Sequence, residues 1–167
     1  SQDGASPVRN LKLLGYWDFD NKSEIEQDKI AKDSFAGIVG TVNGDIVTAM
    51  GETGTINDKA IDLGASPAGK WVSIDHSDAD GNSWLKPASD ANQITVVLWQ
   101  KLHTRVSSST FWFGAQSAPS GQRNVQAHIP WGDGDIHFDT AGCCGTGDTR
   151  IHKAWGGDYS QWHHFAF

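Results

Sequence analysis

Basic residues are scarce in this sequence. Its 167 residues hold 13 Lys and Arg against 20 Asp and Glu, a net charge of −7. No basic patch stands out, which argues against a nucleic-acid backbone as partner. Long apolar runs are missing too. The longest, such as Val96-Val97-Leu98-Trp99, fall far short of a membrane span. Cysteine is limited to two residues, with no Cys-x-x-Cys, and no His pair is spaced for a helix, so the seven histidines do not read as a zinc site. Glycine and proline, 19 and 5, stay below the low-complexity range. Helical periodicity is almost absent, apart from one or two turns over Ser23–Ile30. What is present is a core-forming fraction, 38% hydrophobic with 10% aromatic, too high for a disordered chain. The length suits one domain of ordinary size. Eight tryptophans are the unusual count.

Strand signals are frequent. Leu13–Phe19 is the first. Ile38–Thr48 follows, with a Val42-Asn43-Gly44-Asp45 hairpin turn inside it. Lys59–Leu63, Lys70–Asp75, Gln93–Leu102, Thr110–Gly114, Asn124–Ile129, Asp135–Thr140 and Trp162–Phe167 complete the set. Many short strands separated by glycine turns predict an all-β chain, an antiparallel sandwich or jelly roll. The polar opening, residues 1–12, reads as a linker or a processed N-terminus, starting at Ser1.

One hairpin is specified closely. A two-residue turn at Asp133-Gly134 would pair Gly132 with Asp135, Trp131 with Ile136, Ile129 with Phe138 and His128 with Asp139. One face then carries Ala127, Ile129, Trp131, Ile136 and Phe138. The other carries Gln126, His128, His137 and Asp139. A slip of one residue would exchange the two sets.

The order of several segments resembles a known family. Gly15-Tyr16-Trp17-Asp18-Phe19-Asp20, Lys32-Asp33-Ser34, Gly40-Thr41-Val42 and Lys59-Ala60-Ile61-Asp62-Leu63-Gly64 come first. Ile94-Thr95-Val96-Val97-Leu98-Trp99-Gln100-Lys101 and Trp162-His163-His164-Phe165-Ala166-Phe167 follow. The arrangement resembles the laminin-G-like domains of the concanavalin A-like lectin/glucanase superfamily, of the kind found in large secreted bacterial proteins. Gln126–Trp131 and Phe138–Cys144 resemble one bacterial subgroup. The resemblance spans residues 13–167. It implies a jelly-roll sandwich that binds a glycan or glycoprotein and works in a secreted or cell-surface setting. It also implies a structural calcium ion, with Asp20 and Asp33 as candidate ligands. Such domains continue through a Tyr-x-Asp-Gly hairpin and a closing strand, so the resemblance implies that the last strands lie beyond Phe167.

Other motifs carry less. Adjacent Cys143 and Cys144 have Cα atoms about 3.8 Å apart, short of the usual disulfide span of about 4.4–6.8 Å. A vicinal disulfide would need a tight turn, which Gly142 and Gly145 permit; free thiols and a bond to another chain remain open. Asp75–Asn82 resembles a calcium loop, but His76 stands where the first Asp is needed and no Glu closes it. Glu24, Glu26 and Asp28 have the spacing of a glucanase carboxylate set, yet their context is polar and helical. Asp133, Asp135 and Asp139 lie close in sequence without forming a Glu pair. The chain therefore reads as non-catalytic.

The tryptophans divide. Trp17, Trp99 and Trp162 sit in strands that match a core pattern. Trp112, between Phe111 and Phe113, faces opposite to both. Trp131 sits at a hairpin tip, and Trp84 and Trp155 sit in loops. The expected glycan site is the polar hairpin face with His128, His137 and Asp139, together with Arg150 and the rings of Trp112, Trp131 and Trp155. Aromatic faces would stack on sugar C–H faces, and Asp139 and Arg150 would bind hydroxyls. Two other readings remain: a structural or adhesive module that self-assembles, and a glycoside hydrolase acting on β-glucans.

Overall fold

The computed structural model describes residues 12–77, 80–114, 123–140 and 149–167. The described chain is built mostly of antiparallel strands with few helical turns. It divides into two compact units, Ser1–Ile94 and Thr95–Phe167.

The first unit contains β1 (Ile30–Lys32), β2 (Val39–Asn43), β3 (Val47–Met50), β4 (Lys59–Asp62), β5 (Trp71–Ile74) and a short helix α1 (Lys86–Ala91). Strands β1, β2 and β5 form one sheet, and β3 and β4 form a ribbon. Ile25, Ala31, Val42 and Ile46 are buried at its centre, with Trp17, Phe19, Ile61, Leu63 and Val72 packed around them. Removing these side chains from water is what holds the small sheet to the ribbon.

The Asn43-Gly44 turn forms, but not as the hairpin expected from sequence. β2 pairs with β1 and β5, while β3 pairs with β4. Burial decides between the two arrangements: Ile46, just past the turn, is inserted into the core. The Asn43 amide donates across to Trp71 O and Ser73 Oγ on β5, as well as to Thr41 O on its own strand. Gly44 has φ +77°, and a Cβ there would stand 2.3 Å from Gly69 O.

The predicted strand over Leu13–Phe19 does not form either. Its backbone bonds go elsewhere: Tyr16 N–H donates to the Asp33 carboxylate, and Tyr16 O accepts from Ser34 N. Phe19 has φ +60°, which breaks an extended run. The turns expected near Ser23–Ile30 appear as a single π-helical turn, Glu24–Asp28, closed by Lys29 at φ 58°. The sequence reading missed α1, although Pro87 in its first turn and Asn92 at its end are ordinary start and stop signals.

The second unit contains β6 (Val97–Gln100), β7 (Phe111–Phe113), β8 (Val125–His128), β9 (Asp135–Asp139), β10 (Arg150–Ala154) and β11 (His163–Ala166). Strands β7 to β10 form an antiparallel sheet in which each strand lies beside its neighbour in sequence. β6 and β11 form a separate ribbon, extended by mutual backbone bonds between Val96 and Phe167. On the apolar face of the sheet, Phe167 stacks on Phe138 at 5.3 Å and meets Phe111 edge-on at 5.9 Å.

The hairpin register differs from the expected one by two residues. Gln126 pairs with Asp139, Ala127 with Phe138 and His128 with His137. β8 ends at His128, so residues 129–134 all belong to the turn, which carries a cis Ile129–Pro130 bond. A shift of two preserves strand alternation, so the two faces keep their residues. Trp131 is the exception. It lies past the strand end, where alternation no longer governs it, and its ring packs on His128 at 4.5 Å.

Two tryptophans assigned by pattern need separate mention. Trp99 is 50% exposed, although a core position was expected, because the β6–β11 ribbon turns Val97 and Trp99 outward together. Trp84, placed in a loop by the sequence, donates its indole N–H to Asp75 O and packs against Trp17 at 5.6 Å.

Candidate functional site

The polar face of β7–β10 is arranged in rows that run across the strands. The register places Trp112, Gln126, Asp139 and Arg150 side by side. The next row is His128, His137 and His152. Antiparallel pairing brings such cross-strand neighbours within about 5 Å at Cβ, so each row is one contact surface.

The first row is organised around Asp139, which is 0% exposed. Arg150 grips it twice, Nε to Oδ1 at 2.5 Å and Nη2 to Oδ2 at 2.9 Å. Gln126 Nε2 donates to Oδ2 at 2.8 Å. Burial would push the Asp139 carboxyl up, but these donors and the positive charge of Arg150 hold it below the usual carboxylate range. Gln126, also fully buried, turns its carbonyl oxygen to Arg123 Nη1 at 3.2 Å. The Arg123 guanidinium lies over the Trp112 ring, 4.6 Å from its centroid. The row therefore alternates charge and hydrogen-bond polarity from Trp112 through to Arg150.

The histidine row is graded in exposure. His128 and His137 are 5% and 7% exposed, while the His152 side chain is 59% exposed. His128 Nδ1 meets Ser108 O at 3.3 Å, and its Nε2 is 3.8 Å from Asp139 Oδ2. Burial pushes its pKa down, against the opposing pull of Ser108 O and Asp139. His137 Nε2 meets Asp133 Oδ2 at 3.1 Å, and His152 Nδ1 meets Asp135 Oδ2 at 2.9 Å. The His137 and His152 rings lie nearly parallel, 5.4 Å apart.

Six of the seven residues expected at the glycan site are thus brought together: Trp112, His128, Trp131, His137, Asp139 and Arg150. Trp155 is not among them. It follows β10 on the opposite alternation and packs against His163 and Phe165. There it lines an apolar groove with Ile136, Phe138, Ile151 and Phe167. Gln126, placed on the polar face by the sequence, and Asp133 and Asp135, weighed there only as a carboxylate set, were not among the expected glycan-site residues, and Arg123 and His152 were not singled out at all. His152 was legible in principle, since Arg150 and His152 repeat the two-residue spacing of Asp139 and His137.

The remaining candidates lie elsewhere. Asp33 is buried and accepts backbone N–H groups from Tyr16, Phe35 and Ala36. Asp20 Oδ1 accepts Lys59 N–H at 2.8 Å. In the structure both carboxylates serve the backbone of the first unit. Glu26 accepts from Thr48 N and Oγ1, so the three-acid run near the first strand does not present a pair. Cys143 and Cys144 lie outside the described residues, as does Asp78 of the loop that resembles a calcium site.

Chemically, the site offers a rim and a floor. The rim has a guanidinium, an exposed imidazole and two carboxylates, from Arg150, His152, Asp133 and Asp135. The floor has Asp139 and Gln126, whose bonds to Arg150 and Arg123 fix the rim in place; Arg123 Nε and His137 Nδ1 are buried without a hydrogen-bond partner among the described residues. No family model matches this chain, and no curated protein or solved structure matches it. Function must therefore be argued from this geometry.

Proposed function

We propose that the polar face of β7–β10 binds carbohydrate, as part of a non-catalytic module of a secreted or cell-surface protein. The observation that carries this reading is the cross-strand row Trp112–Gln126–Asp139–Arg150 beside the histidine row. A sugar needs planar, fixed donors and acceptors for its hydroxyls and an aromatic face for its C–H groups. Arg150, held twice by Asp139, has little rotational freedom left to lose on binding. Trp112 and Trp131 supply aromatic surface on the same side. The resemblance to laminin-G-like domains supports the same class of ligand, and a jelly-roll sandwich is the architecture that goes with it.

The test uses the exposed rim, because the floor is structural. Glycan-array screening of the full chain identifies ligands, and calorimetry with the best of them measures His152→Ala and Arg150→Lys. Each substitution is expected to weaken binding about tenfold; His152→Ala should leave the unfolding midpoint within a degree or two, whereas Arg150→Lys, which cannot keep both bonds to Asp139, should lower it. A silent array, or binding unchanged in both variants, rejects the reading.

A self-assembling module is the second reading. It is favoured by β10, which ends the sheet among the described residues, pairing with β9 on one side, and whose Ile151 is 71% exposed. Light scattering on the purified chain decides it: association that Ile151→Lys abolishes supports it, and a monomer at all concentrations rejects it.

A further inference from the structure

Three imidazoles lie abreast on the polar face, and they differ in what would balance a positive charge on each. His137 Nε2 has the Asp133 carboxylate at 3.1 Å, and His152 Nδ1 has the Asp135 carboxylate at 2.9 Å. The carboxylate beside His128 is Asp139, whose Oδ2 stands 3.8 Å from Nε2. That carboxylate is already engaged, by Arg150 through two bonds and by Gln126 through a third. His128 alone of the three shares its counter-charge with a guanidinium.

Neighbours also fix where the proton sits on neutral His128. Ser108 O, 3.3 Å from Nδ1, can only accept, so Nδ1 carries the hydrogen and Nε2 is bare. The charged and titratable groups around the ring are Asp139 and His137 on β9 and Arg150 on β10. The other contacts are uncharged: the Ser108 carbonyl and the Trp131 indole. Arg123 lies one row away, on Gln126 and Ser109, and His152 lies beyond His137.

Counting charge gives the consequence of adding a proton. Asp139 and Arg150 cancel each other. A proton on His128 Nε2 puts a second cation into a buried cluster that holds one anion. A buried charge without a counter-charge is costly, so one of the two cations must reach water. His128 is buried and held by Ser108, whereas the Arg150 side chain is 30% exposed. Arg150 is therefore the group that leaves. Nε2–H then faces Asp139 Oδ2 and needs to close by only about 1 Å to bond it. Burial holds the His128 pKa below the usual histidine range, so the exchange belongs to acidic pH.

We propose that protonation of His128 releases Arg150 from Asp139, so that the polar face loses its fixed guanidinium, and with it its ligand, in acid. The loss of ligand rests on the carbohydrate reading, because it is the pre-organised Arg150 that favours binding there. The release of Arg150 does not rest on it, and is measured without ligand. The full chain, labelled with 15N, is titrated from pH 7.5 to pH 4.5. The Arg150 Nε–H resonance, displaced at neutral pH by its bond to Asp139, should move to the position of a solvated guanidinium. It should follow the same curve as the His128 ring nitrogens, while near-UV circular dichroism stays constant. In His128→Gln it should stay fixed, and His128→Phe provides the same comparison if His128→Gln does not fold. His152→Gln should keep the transition. An array of immobilised glycans, read over the same range, should lose signal about tenfold per pH unit below the His128 midpoint. The proposal is overturned by a fixed Arg150 resonance in the parent, or by a transition that survives in the His128 variants or vanishes in His152→Gln. It is also overturned if His128 titrates only as the second unit unfolds, or if array signal holds constant below its midpoint. A silent array with a moving Arg150 resonance supports the release and rejects the carbohydrate reading. Glycan binding with a fixed resonance does the reverse.

Discussion

Replacing Asp139 with Asn is expected to unfold the second unit at markedly lower denaturant, before any question of ligand arises. Asp139 is fully buried and accepts two bonds from Arg150 and one from Gln126. Asparagine keeps one acceptor oxygen but turns an NH2 group toward donors that need an acceptor. Removing one partner of a buried ion pair costs about 3–5 kcal/mol, because the other charge is left without compensation. Arg150 is 30% exposed, so water recovers part of that loss and the lower end, about 3 kcal/mol, is expected. Against a typical total of about 5–15 kcal/mol this is a large fraction. With a urea slope of about 1–3 kcal/mol/M, the midpoint should fall by roughly 1–3 M. Urea unfolding followed by near-UV circular dichroism measures it. Adding Arg150→Gln should cost less than the sum of the two single changes, with a coupling of about 1–2 kcal/mol. A single-variant loss below about 1 kcal/mol, or strict additivity, would refute the account of the row as a buried, mutually dependent unit. The practical result is that a loss of ligand binding in Asp139 variants says nothing about contact with the ligand.

Two further outcomes follow from the first unit. Backbone amides of Tyr16, Phe35 and Ala36 hold the Asp33 carboxyl below its ordinary value, against burial, which alone would raise it. A depressed folded pKa contributes stability that is complete above the unfolded value of about 3.9 and is lost as pH falls through the folded one. Unfolding free energy measured from pH 6 to pH 2 should therefore fall less steeply below pH 4 in Asp33→Asn than in the parent, and equal slopes would contradict the assignment. Gly44→Ala should cost about 2–3 kcal/mol, since φ is +77° and the new Cβ meets Gly69 O. Gly37→Ala, with φ +73° and open space around it, should cost only the backbone share, about 1 kcal/mol. Equal thermal shifts for the two would mean that the Gly69 contact carries no weight.

Alternation made much of the site legible. Gln126, His128, His137 and Asp139 fall on one side of two short strands whichever even register is drawn, so an error of two positions did no harm to the face. The same rule could not place Trp131, because a rule about strands has no force beyond the strand end at His128. Arg150–Ala154 escaped notice as a strand because an edge strand with one open side needs little apolar character. With it went His152 and the recognition that three imidazoles lie abreast. The Asn43-Gly44 turn shows the opposite failure. Its local chemistry asked for a hairpin, and the burial of Ile46 with the pairing of β2 and β5 overrode it. Long-range burial of this kind is not written into any short window. That Gln126, His128, His137 and Asp139 on this face are buried rather than open was equally unreadable, since it depends on Ser108, Arg123 and Trp131 arriving from other segments.

The way the strands are wired also bears on how the chain reaches its native state. In the β7–β10 sheet, partners such as Trp112 and Gln126, or Asp139 and Arg150, are 14 and 11 positions apart. In the β6–β11 ribbon, Val97 and Ala166 are 69 apart. Closing a longer loop costs more chain entropy before any contact compensates for it, and rates fall as contacts become less local. The meander with the two polar rows is thus the part of the second unit that can form from its own neighbourhood. The ribbon must wait for both ends of the unit to meet. Folding order and the proposed ligand site then fall on the same four strands: the surface proposed to bind is also the part of the unit whose contacts are most local.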